Sequence, residues 1–413
     1  MNDWRAVLIL LLCPAAFGQG TAVVESAHIR VSFDENSLRR MEWLKNGPGR
    51  SIVAFDPGVQ DGLVVSGVEC FAFQLDPERS SQHRVTDPEF GPALEAEITG
   101  RLEDKARQLR IERTVRVLLP DEFPGAVLMQ SSYRNLGALP LHLDRVYSQR
   151  VLADRRLAEA GSRSFDFASF QGGAYKWGTE YALIRLQHDF RQSNFQGVDD
   201  VRGSEGVGGG MPFVDIWSPA MGVAVMHLEK TPQWLSLPVE VRADGRVDLS
   251  VMEMPKARLG QHEWLAPGEA YRTVLTAAIF HRLDYFDSLR TYGRLLRRRG
   301  IAIPESSSDY AHEPYWKSWG FVERFTVKNI LDALPELRSM GIRVANVDMG
   351  WYDYMGDWGI NREPGKFPNG EKDLIALIGK LHREGFRTSF WWCPIAVDVK
   401  SRLARERRDL LIQ

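Results

Sequence analysis

The sequence predicts a multidomain chain, β in its amino-terminal part and α/β in its carboxyl-terminal part. Three observations predict it. From about residue 22 to 280, apolar and polar residues alternate with period two, and turn residues separate the runs. At 283–299 the period switches to that of a helix. Beyond residue 309, short apolar runs alternate with helical patterns, which is the grammar of a parallel sheet covered by helices. With 413 residues, 44% hydrophobic and 26% charged, the chain can bury more than one core.

Residues 1–20 read as a signal peptide. Arg5 precedes the apolar run Ala6 to Cys13, and Ala16-Phe17-Gly18 puts small residues at the cleavage spacing. The run is shorter than the ~20 apolar residues that span a bilayer. The expectation is a secreted or periplasmic protein with no membrane segment in its mature form. Cys13 would leave with the signal, and Cys70 and Cys393 fall in different domains. No disulfide framework or zinc spacing results, and no metal or organic cofactor is expected.

Residues 21–282 read as a β-sandwich domain. Alternation is clear in Ile29 to Phe33, Arg110 to Val117 and Leu139 to Val146. Asp34-Glu35-Asn36, Asn46-Gly47-Pro48, Asn135-Leu136-Gly137 and Asp244-Gly245 mark turns between such runs. Gly203 to Gly210 lacks the dinucleotide-binding spacing and a strand-then-helix context, and reads as a flexible surface loop. Residues 283–308 read as a linker helix and linker. Leu283, Phe286, Leu289, Leu295 and Leu296 mark one helix face ending before Gly300, and Pro304 with three serines follows.

Residues 309–413 alternate strand and helix. Pro314 to Trp319, Arg343 to Val347 and Phe386 to Trp392 are the expected strands. Thr326 is positioned to cap the first helix, whose apolar positions are Ile330, Leu331, Leu334 and Leu337; Pro335 should kink it and Gly341 end it. Asp373 is positioned to cap the second, with Leu374, Leu377, Ile378 and Leu381 inward and Gly385 at its end. The chain closes on Leu410-Leu411-Ile412-Gln413 within a helical pattern. A closed (β/α)₈ barrel takes ~250 residues, so the expectation is the first part of such a barrel, truncated at three strands.

In parallel α/β folds, function gathers at the carboxyl ends of the strands. Trp316 and Trp319, then Asp348 and Trp351, then Trp391, Trp392 and Cys393 close the three expected strands. Six of the 12 tryptophans lie between residues 316 and 392, more than core packing alone would bring to strand ends. Carboxylates grip hydroxyls and flat indoles cover the apolar face of a pyranose ring, so a carbohydrate site is expected here. Asp348, Trp351, Trp319 and Trp391 are its candidate residues, with Asp357 and Lys366 behind them. A net charge of −2 argues against a nucleic-acid partner, and the basic runs Arg297 to Arg299 and Arg402 to Arg408 read as solvated helix faces.

The motifs Asp348-Met349-Gly350-Trp351, Gly356-Asp357-Trp358 and Lys366-Phe367-Pro368-Asn369-Gly370 resemble, in order and spacing, those of the family 36 glycoside hydrolases, the melibiase or α-galactosidase group related to families 27 and 31. Pro314-Tyr315-Trp316-Lys317-Ser318-Trp319 is similar to that family's first barrel strand, and Gly209 to Val214 more faintly to a segment of its sandwich. The resemblance implies an amino-terminal β-supersandwich, a linker helix and a (β/α)₈ TIM barrel. It implies retaining hydrolysis of terminal α-linked sugars from oligosaccharides or glycans, by two carboxylates ~5–5.5 Å apart. It also implies a homo-oligomer.

Two departures bear on specificity. The family's paired aspartates hold sugar hydroxyls, and Met349 stands at the second; a thioether cannot supply charge-assisted hydrogen bonds worth ~1.5–3 kcal/mol each. Where the family's third strand continues into two glutamates, Cys393 and Ile395 stand here. The resemblance puts the nucleophile and the acid/base on later strands, beyond Gln413, so no catalytic residue is expected in this chain, and the chain alone is expected to be inactive. Three functions follow: an α-galactosidase-like glycosidase, a non-catalytic carbohydrate-binding relative, or a transglycosylase on the same scaffold.

Overall fold

The structure, a computed structural model, describes residues 20–44, 60–153, 167–171, 183–196, 213–219, 221–231, 233, 235–255, 263–301 and 313–411. The expected signal peptide (but for Gly20), the Asn46-Gly47-Pro48 turn, the loop 203–210 and most of the linker 301–308 lie outside them. The chain divides into two compact units, residues 1–302 and 303–413.

The amino-terminal unit is antiparallel. Gly91–Asp104, Leu109–Pro120 and Ala126–Asn135 follow one another as a meander, and Thr276–His281, Gly222–His227, Phe213–Trp217 and Ala168–Phe170 extend the same sheet. A second sheet is built on Leu141–Ala153, flanked by Gly62–Val65 and Val247–Glu253. One core cluster draws Val115, Val117, Val127 and Met129 from the first sheet and Val151, Leu249 and Val251 from the second. Period-two alternation creates this core, because every second side chain of a strand faces the same way.

That rule also carries a charge inward. In Leu109–Pro120, Arg113 shares the buried face of Ile111, Val115 and Val117. A buried cation must be partnered, and Arg113 donates to the carbonyl oxygens of Asp61 (3.1 Å) and Ser37 (2.6 Å). Beside it Arg39 pairs with the Asp61 carboxylate at 3.2 Å.

The helix Tyr285–Arg298 starts on Asp284, whose carboxylate accepts the amide of Phe286 at 3.0 Å. Its buried face differs from the expected one. Leu283 and Phe286 are exposed, while Ser288, Tyr292 and Leu295 are buried, with Tyr285, Leu289 and Leu296 packed beside them. Tyr285 stacks on Phe170, which turns the helix onto the sheet by aromatic contact. Ser288 donates to Asp215, a fully buried carboxylate that His281 meets at 2.9 Å from its other oxygen. Burial pushes the Asp215 carboxyl above the usual range, against the hydrogen bonds from His281 and Ser288.

In the carboxyl-terminal unit three strands, Tyr315–Lys317, Val344–Val347 and Arg387–Phe390, pair in parallel in chain order. The first helix, Val327–Ser339, opens on a capping box between Thr326 and Asn329 and ends before Gly341, whose φ of 79° suits only glycine at low cost. It continues through Pro335 as one helix to Ser339. The second helix, Glu371–Arg383, begins two residues before the expected cap: Gly370 is the N-cap, and Asp373, inside the first turn, accepts the amide of Asn369 at 2.7 Å.

The first strand is shorter than expected. After Lys317 the chain enters a 3₁₀ segment, Ser318–Arg324, so Trp319 sits in that segment rather than on the strand. The expected terminal helix is also short, Arg402–Glu406 with a 3₁₀ turn at Arg408–Leu410. Both helices cover one face of the sheet. Ile330, Leu334, Leu337, Leu377 and Leu381 pack on Ala345 and Val347, with Phe325, Phe367 and Phe386 closing the edges. Each such side chain contributes about 1.5–3 kcal/mol through burial. Asn346 and Ser389 occupy the opposite face, joined by a 2.8 Å hydrogen bond. Among the described residues, no helix is long and apolar enough to cross a membrane.

Candidate carbohydrate site

At the carboxyl ends of the three parallel strands, backbone bonds fix the side chains before any ligand arrives. The Asp348 amide donates to the buried Ser318 hydroxyl at 2.8 Å, tying the second strand end to the first. Asp348 is 4% exposed, and its carboxylate accepts the Met349 amide at 2.8 Å through one oxygen. That bond tightens the following turn and leaves the second oxygen as its means of gripping another group. Gly350, with φ 96°, is required there: a Cβ would stand 2.8 Å from the Glu323 carbonyl oxygen.

Aromatic rings then converge. Trp351 donates its indole N–H to the Trp391 carbonyl at 2.9 Å, which joins the loops after the second and third strands. Trp351 stacks with Trp358 at 6.2 Å and 24°, and Tyr352 stacks with Trp391 at 6.0 Å and 20°. Trp358 meets Tyr352 edge-on at 4.6 Å and also touches Trp391 and Trp392. Trp392 is 62% exposed. Trp351 and Trp391 are therefore brought together, whereas Trp319, 37% exposed in its 3₁₀ segment, is left out of these ring contacts.

Asp357 and Lys366 are engaged otherwise. The Asp357 carboxylate accepts the amides of Arg402 (2.6 Å) and Leu403 (3.0 Å) at the start of the short helix, and those two bonds hold its carboxyl below the usual range. Lys366 is a buried cation, its side chain 8% exposed. It donates to the Glu323 carbonyl at 2.8 Å, pairs with Glu363 at 3.2 Å and lies over the Phe325 ring. Both residues brace loops, each with its charged group directed at main-chain atoms.

Two residues of this region were not singled out from the sequence. Tyr352 is nearly buried, and its hydroxyl has no hydrogen-bond partner. Burial pushes that hydroxyl up to about 12, and the nearby Glu323, Cys393 and Asp348 add to the shift. Trp358 sits in the left-handed region, φ 55°, which an aromatic residue rarely adopts. The Gly-Asp-Trp motif contained Trp358, but only the tertiary structure makes it the hub of the ring cluster. Among the described residues, no group of three His, Cys, Asp or Glu side chains could hold a metal ion. A separate hollow of about 660 Å³ opens between the first turns of the two helices, lined by Thr326, Leu331, Pro368, Asp373 and Leu377; it shares only Lys366 with the candidate residues.

No family model matches the chain. Over 204 residues, 49% of the chain and 18% of the relative, it is 28% identical to the A type blood alpha-D-galactosamine galactosaminidase of Flavonifractor plautii. Its fold is similar to that of the GH36 alpha-galactosidase AgaA from Geobacillus stearothermophilus, with TM-score 0.55 and 17% identity over 94% of this chain and 58% of that one. The alpha-galactosidase from Lactobacillus brevis matches with TM-score 0.55 and 14% identity, over 95% of this chain and 57% of that one. Variants of the Geobacillus enzyme have been solved with raffinose and with stachyose. The chain thus has a GH36-like fold and spans less than two thirds of the length of these relatives.

Proposed function

We propose that the chain is part of a secreted or periplasmic retaining α-glycosidase of the α-galactosidase type, acting on terminal α-linked sugars of oligosaccharides or glycans. In this reading residues 1–20 are a signal peptide, 21–282 a β-supersandwich, 283–308 a linker and 309–413 the first three strand-helix units of a (β/α)₈ barrel. A parallel sheet with helices on one face only, and Asn346 and Ser389 on the other, supports the barrel assignment. The observation that carries the function is a nearly buried aspartate, Asp348, close to Tyr352, in the same strand-end region where Tyr352, Trp351, Trp358 and Trp391 form a ring cluster. The similarity in fold to α-galactosidases, and in sequence to a galactosaminidase, supports the same substrate class.

Asp348 accepts sugar hydroxyls, and Trp351 and Trp391 wall the site. The nucleophile and the acid/base belong to the part of the relatives that this chain does not span. Met349 and Ile395, uncharged where the family carries acids, favour a second reading, a relative that binds sugar without hydrolysing it. A transglycosylase is separated from a hydrolase by the products formed with excess acceptor sugar.

The test is Asp348→Asn in the full-length protein. Asparagine keeps an oxygen for the Met349 amide and removes the charge. Losing one charge-assisted bond of about 1.5–3 kcal/mol weakens binding of an α-galactoside roughly tenfold to over a hundredfold. Unchanged affinity and turnover in the variant, or a folded wild-type protein that neither binds nor cleaves any α-glycoside, overturns the proposal.

A further inference from the structure

The indole of Trp358 is held by more than its ring contacts. Its backbone is left-handed at φ 55°, and Gly356, two residues earlier, has φ 101°. The Trp358 amide donates to the Tyr354 carbonyl at 3.0 Å, and the Asp353 amide to the Gly359 carbonyl at 2.7 Å. A Cβ at Gly359 would meet the Asp353 carboxylate at 2.5 Å. Asp357 anchors the loop from the other side on the amides of Arg402 and Leu403. A bulky residue persists in such a conformation only where the surroundings over-determine it, and such strain clusters at ligand-binding positions. The result is a half-buried ring that touches four other aromatic rings and still reaches solvent.

We propose that Trp358 is a specificity-determining residue of this site, its indole receiving the C–H face of a galacto-configured pyranose. The inference rests on the sugar-site reading above and deepens it. Met349 beside Asp348 offers no second carboxylate to read an axial hydroxyl. Discrimination then passes to shape. An axial 4-hydroxyl gathers the hydrogens on C3, C4 and C5 on one ring face, whereas a gluco ring divides its axial hydrogens between both faces. The electron-rich face of an indole favours the gathered set of C–H groups.

The experiment titrates the full-length protein with methyl α-D-galactopyranoside and with methyl α-D-glucopyranoside. Wild type is compared with Trp358→Phe, Trp358→Leu and Trp358→Gly, the last allowing the left-handed backbone without the ring. The galacto preference of wild type should fall roughly tenfold in the Leu and Gly variants, with Phe between. A preference unchanged in the Leu and Gly variants, whatever happens to their melting temperatures, gives Trp358 a packing role and overturns the assignment. So does a wild type that binds both sugars equally. A wild type that binds neither refutes the sugar-site reading itself and the Trp358 assignment with it.

Discussion

Gly222 lies directly opposite His281 in the first sheet, and a side chain at Gly222 has nowhere to go. A Cβ there would stand 2.1 Å from His281 Cε1 and 2.2 Å from Nε2. To restore a separation near ~3.5 Å, the imidazole must retreat by more than about 1 Å. That retreat takes His281 Nε2 out of reach of the Asp215 carboxylate, now 2.9 Å away. Overpacking costs about 1–3 kcal/mol, and a buried carboxylate deprived of a partner about 1–3 kcal/mol more. Gly222→Ala should therefore destabilise the amino-terminal unit by about 2–6 kcal/mol. Urea unfolding followed by tryptophan fluorescence measures it, with the transitions of the two units fitted separately. His281→Ala removes the ring that the added methyl would strike, so introducing Gly222→Ala in that background should cost under about 1 kcal/mol. Equal costs in the two backgrounds would refute the steric account.

Lys366→Met keeps the aliphatic stem over Phe325 but loses the bond to the Glu323 carbonyl. It should destabilise the carboxyl-terminal unit by about 1.5–3 kcal/mol, while a loss of sugar affinity at unchanged stability would mean the amine meets ligand instead. Asp357 has a folded-state carboxyl below its ordinary 3.8, so its capping of the short helix is complete above that value and is lost as pH falls through the lower folded one. The protection factors of the Arg402 and Leu403 amides, exchange rates taken relative to the intrinsic rate at each pH, should fall in acid and in Asp357→Ala at neutral pH; protection unaltered in the variant argues against the cap.

Much of this architecture is legible because periodicity is a local property. Ile111, Val115 and Val117 alternate toward one core, and Ile330, Leu334 and Leu337 recur at helical spacing toward another. The Thr326 cap and the Gly341 and Gly385 stops obey local sterics as well, so they too can be read residue by residue. The linker helix was harder. Leu283 and Phe286 fit a helical stripe, but the sheet offers its aromatic surface to Tyr285 and its buried carboxylate to Ser288, and these partners rotate the helix.

That carboxylates and indoles crowd the ends of three short strands is readable along the chain, because motif spacing and strand period are local patterns. What each group does there depends on the folded arrangement. Asp357 and Lys366 find main-chain partners 45 and 43 residues away, Trp319 falls in a 3₁₀ segment, and Trp358 joins Trp351 and Trp391. Hydrogen bonds and ring contacts depend on distance in space, which a one-dimensional pattern does not encode until the strands have paired.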